Sequence, residues 1–350
     1  MMVVVKPALD LKSVQKEVDK YHNKIEEIKN EISKIIVGQD PLIETILRAF
    51  ISRGHVLIEG VPGLGKTVLV RTIANVIDNQ FGRVQFTPDL LPSDITGIMS
   101  YKEKKGFEII KGPIFCNLLL ADEINRAPPK VQSALLEAMQ ERRVTIGRET
   151  LDLPSPFLVV ATQNPLETLG TYPLPEAQLD RFIFKVHITY PNISNELTVM
   201  ENNLNTKSIK DFNLQKILSQ SELVNLIRYS NEVYIHPYIK EYIVRIIEAT
   251  RNPHKYGIKH ADLIDVGASP RATINIYVSS KAQALIKGRH YVLPEDIGVV
   301  TMEVIRHRMI LNFKSKIEKV TTDDIINDIL SKVSLFEDYS KNEIKAKFRP

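Results

Sequence analysis

Apolar residues at Leu11, Val14, Val18, Tyr21, Ile25, Ile28, Ile32 and Ile35 recur at alternating steps of three and four, which predicts one long helix over residues 10–36. The spacing is an a/d heptad seam, flanked by Glu17, Lys24, Lys29 and Glu31. Such a seam serves either as a coiled-coil contact to a neighbour or partner, or as the buried edge of a helix lying along a core. The pattern then changes. Short apolar runs at 55–59, 83–86, 117–121, 157–161 and 182–188 read as strands, with helical stretches between them at 40–52, 66–78 and 128–141. Continuously apolar strands alternating with helices predict a parallel sheet covered on both faces.

From Tyr190-Pro191 onward strand-like runs largely vanish. Amphipathic helical patterns take over, as in Tyr238 to Thr250 and Pro270 to Ile286. Asparagine and other polar residues cluster after Pro191, which puts a boundary near 191–212. With 350 residues, 43% of them hydrophobic and 25% charged, the chain has globular composition but is too long for one compact core. The expected organisation is the heptad helix over 1–36, an α/β core over 37–200, a helical lid over 201–320 and a helical tail over 321–350.

Composition bounds the function. No apolar run approaches the ~18 residues of a membrane span, and Met1 to Lys6 lacks a signal-peptide core. The single cysteine, Cys116, excludes an intrachain disulfide and suits a reducing cytoplasm. Placed before a buried strand, it reads as an inert core thiol. A net charge of +4 is too mild to indicate nucleic acid. The basic groups at Lys102 to Lys105 and at Lys341, Lys345, Lys347 and Arg349 read as solvated surface. His236, His254 and His260 lack metal-ligand spacing.

The candidate chemistry starts at Gly60-Val61-Pro62-Gly63-Leu64-Gly65-Lys66-Thr67, which matches a phosphate-binding loop at every fixed position. Glycines let successive N–H groups turn toward phosphate oxygens. Lys66 is expected to reach the β- and γ-phosphates of ATP and the Thr67 hydroxyl to hold Mg²⁺. The run His55 to Glu59 supplies the strand before the loop. Val68 and the residues after it supply the helix, whose N-terminus favours anions.

Asn117-Leu118-Leu119-Leu120-Ala121-Asp122-Glu123 is a second strand ending in two carboxylates, at the edge where α/β sheets bind ligands. Asp122 would complete the Mg²⁺ shell through water and Glu123 would orient or deprotonate the attacking water. Phe157 to Ala161 leads into Thr162-Gln163-Asn164-Pro165, where Asn164 is placed to bond that water or the γ-phosphate. Arg181, in Leu179-Asp180-Arg181-Phe182, is a candidate for stabilising charge on the transferring phosphoryl group. By spacing alone it is also an ordinary Asp-Arg surface pair.

Taken in order, these motifs closely resemble the MoxR family of AAA+ ATPases. So do Val37-Gly38-Gln39, Gln85 to Asp94, Glu123-Ile124-Asn125-Arg126-Ala127 and Gly267-Ala268-Ser269-Pro270-Arg271-Ala272. The likeness spans about residues 30 to 310. It implies an AAA+ P-loop core with a five-stranded parallel sheet and a small all-helical lid. It places Val37, Gly38 and Gln39 near the adenine. It makes Asn164 the first sensor, Arg181 an arginine finger given to the neighbouring subunit, and Arg271 the second sensor on the lid. It implies a homo-oligomeric ring, usually hexameric, that acts on a protein substrate by remodelling, maturation or help with metal insertion. A partner with a von Willebrand factor A domain is implied too. Two insertions belong to the pattern: residues 87–112 in the second helix, turning at Lys104-Lys105-Gly106, and a hairpin over 143–153. The second is legible by itself, from the alternation of Arg143 to Ile146 and Glu149 to Asp152 about Gly147-Arg148.

Two other classes are weighed. A motor on DNA would want a basic hairpin, but here Arg142, Arg143 and Arg148 are offset by Glu141, Glu149 and Asp152. A nucleotide-gated scaffold would bind ATP without needing hydrolysis. Arg126 faces either a neighbouring subunit or a salt bridge within its own.

Overall fold

The computed structural model describes residues 11–61, 63–103, 106–165, 170–203 and 212–335. Pro62, the Lys104-Lys105 turn, residues 204–211 and the tail after Leu335 lie outside these, as do the side chains of Leu11 and Val14. The chain divides into two compact units: residues up to Glu232 with Leu285–Arg289, and Val233–Ala284 with residues from His290 on.

The first unit opens with α1 (Leu11–Ser33) and α2 (Asp40–Ile51), then β1 (Val56–Glu59), α3 (Lys66–Val76) and β2 (Phe81–Gln85). A short helix α4 (Pro92–Thr96) and an antiparallel hairpin, β3 (Gly97–Lys102) with β4 (Gly106–Lys111), precede β5 (Leu118–Asp122). Then follow α5 (Pro129–Glu141), the hairpin β6 (Arg143–Ile146) and β7 (Glu149–Asp152), β8 (Leu158–Gln163), α6 (Glu176–Leu179), β9 (Phe184–His187), α7 (Ile193–Asn203) and α8 (Gln220–Glu232). Five strands form one parallel sheet in the order β2-β5-β8-β1-β9. Side chains alternate across it. Leu57, Val84, Leu119, Ala121, Val159 and Ala161 pack with Leu135, Leu136 and Met139 of α5. Val56, Ile58, Leu118, Leu120, Leu158 and Val160 are buried on the opposite face, where α2 and α3 lie. The expected strands are all present, their ends shifted by a residue or two.

His55, ahead of β1, joins three elements. Its Nδ1 accepts from the Val159 N–H at 3.0 Å, so its Nε2 is the donor to the Met139 carbonyl at 3.1 Å. Burial pushes its pKa down to about 4. Cys116 is a buried free thiol whose pKa burial raises to about 12, far from a reactive thiolate.

Of the two roles its spacing left open, the heptad helix lies along a core: Val18, Tyr21, Ile25, Ile28 and Ile32 are buried within the first unit, where α1 packs on α3. The division between units falls after Glu232 instead of near 191–212. The cause is α8, which packs on α2, sets Tyr229 5.6 Å from Tyr21 and pairs Glu222 with Lys24 at 2.5 Å. Within residues 87–112 the five-residue α4 leads directly into the β3–β4 hairpin.

The second unit holds α9 (Pro237–Arg251), β10 (Ile264–Val266), α10 (Pro270–Ile286), α11 (Pro294–Ile305), β11 (Ile310–Leu311), α12 (Phe313–Glu318) and α13 (Thr322–Lys332). The last residues of α10 group with the first unit. It is helical apart from the β10–β11 ribbon. α13 packs on α9 and α11, so the start of the expected tail belongs to this unit's core, through Ile325, Ile326 and Ile329.

Candidate active site

Three parallel strands end side by side. After β1 the chain turns through Gly60 to Gly65 into α3. Gly65 is the N-cap of α3 with φ +70°, a left-handed conformation natural to glycine. The Gly60 N–H donates to the Gln163 carbonyl at 3.2 Å and ties the loop to the end of β8. A cavity of about 280 Å³ opens there, lined by Gly60, Gly63, Leu64, Gly65, Lys66, Thr67, Val68, Asp122, Glu123, Thr162, Gln163 and Asn164. Lys66 Nζ donates to the Gly60 carbonyl at 2.5 Å. Burial pulls the Lys66 pKa below the ordinary lysine value, while Asp122 and Glu123 pull the other way.

Asp122 ends β5 with both oxygens engaged. Oδ1 accepts from Thr162 Oγ1 at 2.7 Å; Oδ2 accepts from Arg83 Nη2 at 2.8 Å and faces Thr67 Oγ1 at 3.4 Å. Glu123 turns the chain sharply, with φ +57°, and its N–H donates to Thr162 Oγ1 at 2.8 Å. One hydroxyl thus orients both acidic residues. Glu123 Oε2 accepts from Gln85 Nε2 and from Arg126 Nη1, each at 2.8 Å. Arg126 therefore pairs within its own subunit. Glu59, just before the loop, sits between His187 Nδ1 at 3.1 Å and Lys185 Nζ at 2.9 Å. The His187 hydrogen bond is the main force holding its carboxyl down to about 2, helped by Lys185 and opposed by burial.

Comparison with known proteins places this geometry. Residues 55–184 match the profile of the ATPase family associated with various cellular activities, and residues 259–329 match an AAA lid domain. Chaperone MoxR1 of Mycobacterium tuberculosis is 45% identical over 307 residues, spanning 87% of this chain and 80% of that protein. The chain belongs to the MoxR family of AAA+ ATPases. Protein MoxR of Paracoccus denitrificans is 30% identical over 84% of this chain and 91% of its own length. The crystal structure of a presumed ATPase of Cytophaga hutchinsonii superposes with a TM-score of 0.87 at 47% identity, covering 94% of this chain and all of that one.

Within this MoxR-family ATPase the cavity brings together Lys66, Thr67, Asp122, Glu123 and Asn164, with the loop residues the motif names. Val37, Gly38 and Gln39 are not among its lining. They form the turn into α2, Gly38 at φ +73° under the Asn195 side chain, with Gln39 at the N-cap. Val61 lies between Gly60 and Gly63 and is not among the lining residues. Arg181 follows α6 and is partly buried. Arg271 lies in the first turn of α10, in the second unit.

Sequence reasoning missed Arg83 and Gln85, and did not tie Arg126 to Glu123. The only available signal for the first two was their alternation on β2, which puts both on the face of the sheet where Asp122 ends its strand. No helix of the described residues is long and apolar enough to cross a membrane, and they contain no cluster of three metal-ligating side chains.

Proposed function

We propose that this ATPase works in the cytoplasm as a ring, most simply a hexamer, that uses Mg²⁺-dependent ATP hydrolysis to remodel or mature a protein partner, metal insertion included. The donor set fits the group: a Thr67 hydroxyl and an Asp122 oxygen 3.4 Å apart are hard ligands of the kind Mg²⁺ takes, beside a cavity walled by loop backbone and Lys66. Bound there, Mg²⁺ would neutralise phosphate charge. Lys66 would leave the Gly60 carbonyl for the β- and γ-phosphates. Glu123 would hold and deprotonate the attacking water. Asn164 would bond that water or the γ-phosphate. Arg181 would reach a neighbour's site and Arg271 would act from the lid. Val37 to Gln39 would border the adenine.

The observation that carries the remodelling reading is continuity from the acid to a sticky surface. β2 ends at Gln85, which holds Glu123, and the chain runs from there into the β3–β4 hairpin. That hairpin presents Tyr101 and Phe107, 64% and 74% exposed, with their rings edge to face at 5.3 Å. Exposed aromatic pairs are protein-contact chemistry. A partner with a von Willebrand factor A domain belongs to this reading by family resemblance.

Two measurements test it. Turnover per subunit should rise steeply with protein concentration as a ring assembles; a flat curve in a confirmed monomer sinks the ring. Tyr101→Ser with Phe107→Ser should keep basal turnover and lose stimulation by, or action on, the partner. Unchanged action on the partner would remove the hairpin from the mechanism.

A further inference from the structure

We propose that Arg83 is a positioning residue of the nucleotide site: its guanidinium holds the cation's place on Asp122 until a divalent metal takes it. The inference rests on the Mg²⁺–nucleotide reading above and extends it to a residue outside the phosphate-loop motifs.

The two oxygens of Asp122 have different partners. Oδ1 is taken by the Thr162 hydroxyl at 2.7 Å, a neutral donor that also anchors the Glu123 backbone. Oδ2 is the oxygen that faces Thr67, at 3.4 Å, and is therefore the one that a cation held by Thr67 would share. Arg83 Nη2 sits on that same oxygen at 2.8 Å. A guanidinium on this oxygen and a divalent cation held by Thr67 would lie within a few ångströms of each other, whether the carboxylate meets the cation directly or through one of its waters, and at such a distance their charges repel.

The arrangement has a purpose in electrostatics. Asp122 and Glu123 are adjacent carboxylates, and a nucleotide arriving without metal brings several more negative charges. Arg83 neutralises Asp122 in that state, as Arg126 does Glu123. Release is built into the fold as well. β2 is an edge strand of the sheet, and the Arg83 side chain is 45% exposed, so it has water to swing into. The residue type matters too. Arg83 Nη2 donates both to Asp122 and to the Gln85 Oε1 at 2.7 Å, and the Gln85 amide in turn donates to Glu123. A lysine would keep the charge without the planar fork. Displacing Arg83 thus frees Gln85 on one side, next to the residue that holds the water.

The consequence is a pair of opposite effects, which a merely structural residue would not produce. Binding of N-methylanthraniloyl-ATP to the full-length protein is followed by fluorescence, first in EDTA and then against rising MgCl₂. In Arg83→Met, metal-free affinity should fall about tenfold, the usual weight of a hydrogen bond to a charged group. The Mg²⁺ concentration that half-saturates the nucleotide complex should drop several-fold in the same variant. Arg83→Lys should lie between the two proteins in both measurements. Arg83→Gln, which keeps a polar side chain on the strand, serves if Arg83→Met melts early. Equal weakening in both conditions, or no change in either, overturns the proposal while leaving the nucleotide site intact. A wild-type protein that binds the probe in neither condition overturns the nucleotide reading, and this inference falls with it.

Discussion

Glu123 and Arg126 form an ion pair at 2.8 Å across three residues of chain, on the same carboxylate oxygen that accepts from Gln85. The pairing holds Arg126 within its own subunit, and among the described residues it leaves the Oε1 of Glu123 outside these two donors. A water then has Oε1 to approach while both donors stay on Oε2, and removing Arg126 opens Oε2 as well. Glu123→Gln should therefore lower turnover by about 10² to 10⁴ while sparing nucleotide binding. Arg126→Ala should raise basal turnover a few-fold. Steady-state phosphate release and fluorescent-nucleotide binding check both; a fall in turnover for Arg126→Ala would mean that the arginine positions the acid productively.

Arg181 should act across subunits. Arg181→Ala alone should lose about 10³ or more in turnover, the usual worth of an arginine finger. Mixing it with Glu123→Gln subunits should restore activity, because a mixed ring places an intact Glu123 beside an intact Arg181. No recovery in rings shown by mass to be mixed would return Arg181 to its own subunit.

His55 makes acid stability predictable in sign. Its folded pKa of about 4 lies below the ordinary 6.5 because the ring is buried and Nδ1 is committed to Val159. An unfolded chain takes up a proton near pH 6.5 that the folded chain refuses until about 4. Stability is thus lost as pH falls through that window, by about 3 kcal/mol for the whole span. Urea unfolding of wild type and His55→Gln from pH 7 to 4 should show the gap between them closing by that amount. Parallel curves would contradict the assignment.

The seam of α1 should report on folding, not on association. Ile28 is 1% exposed inside the first unit, so Ile28→Ala should cost about 2 to 5 kcal/mol. Oligomer mass at fixed protein concentration should be unchanged in the variant that remains folded. A lost oligomer with unchanged stability would favour the coiled-coil contact after all.

Legibility followed sequence separation. The phosphate loop is eight consecutive residues, and its flanking strand and helix adjoin it, so motif and context stand in one window. Asp122 and Glu123 were readable because an apolar strand must end somewhere and carboxylates at that end are conspicuous. Arg83 and Gln85 were not, since their partners lie 39 and 38 residues away and their meaning comes from β2 pairing with β5. The unit boundary was misplaced for a similar reason. Composition changes near residue 191, but α8 returns to α1 and α2 through contacts that no local pattern contains.

The sequence by itself determined the family, the parallel sheet, the loop at Gly60 to Thr67 and the acidic strand end, because each is carried by local periodicity or by a fixed run of residues. It also determined which side of α1 is apolar. Only the tertiary structure decided what covers that side, which oxygen of Asp122 meets Arg83 and which donors hold Glu123. Those are distances between side chains far apart along the chain, and they are set by strand order, register and packing.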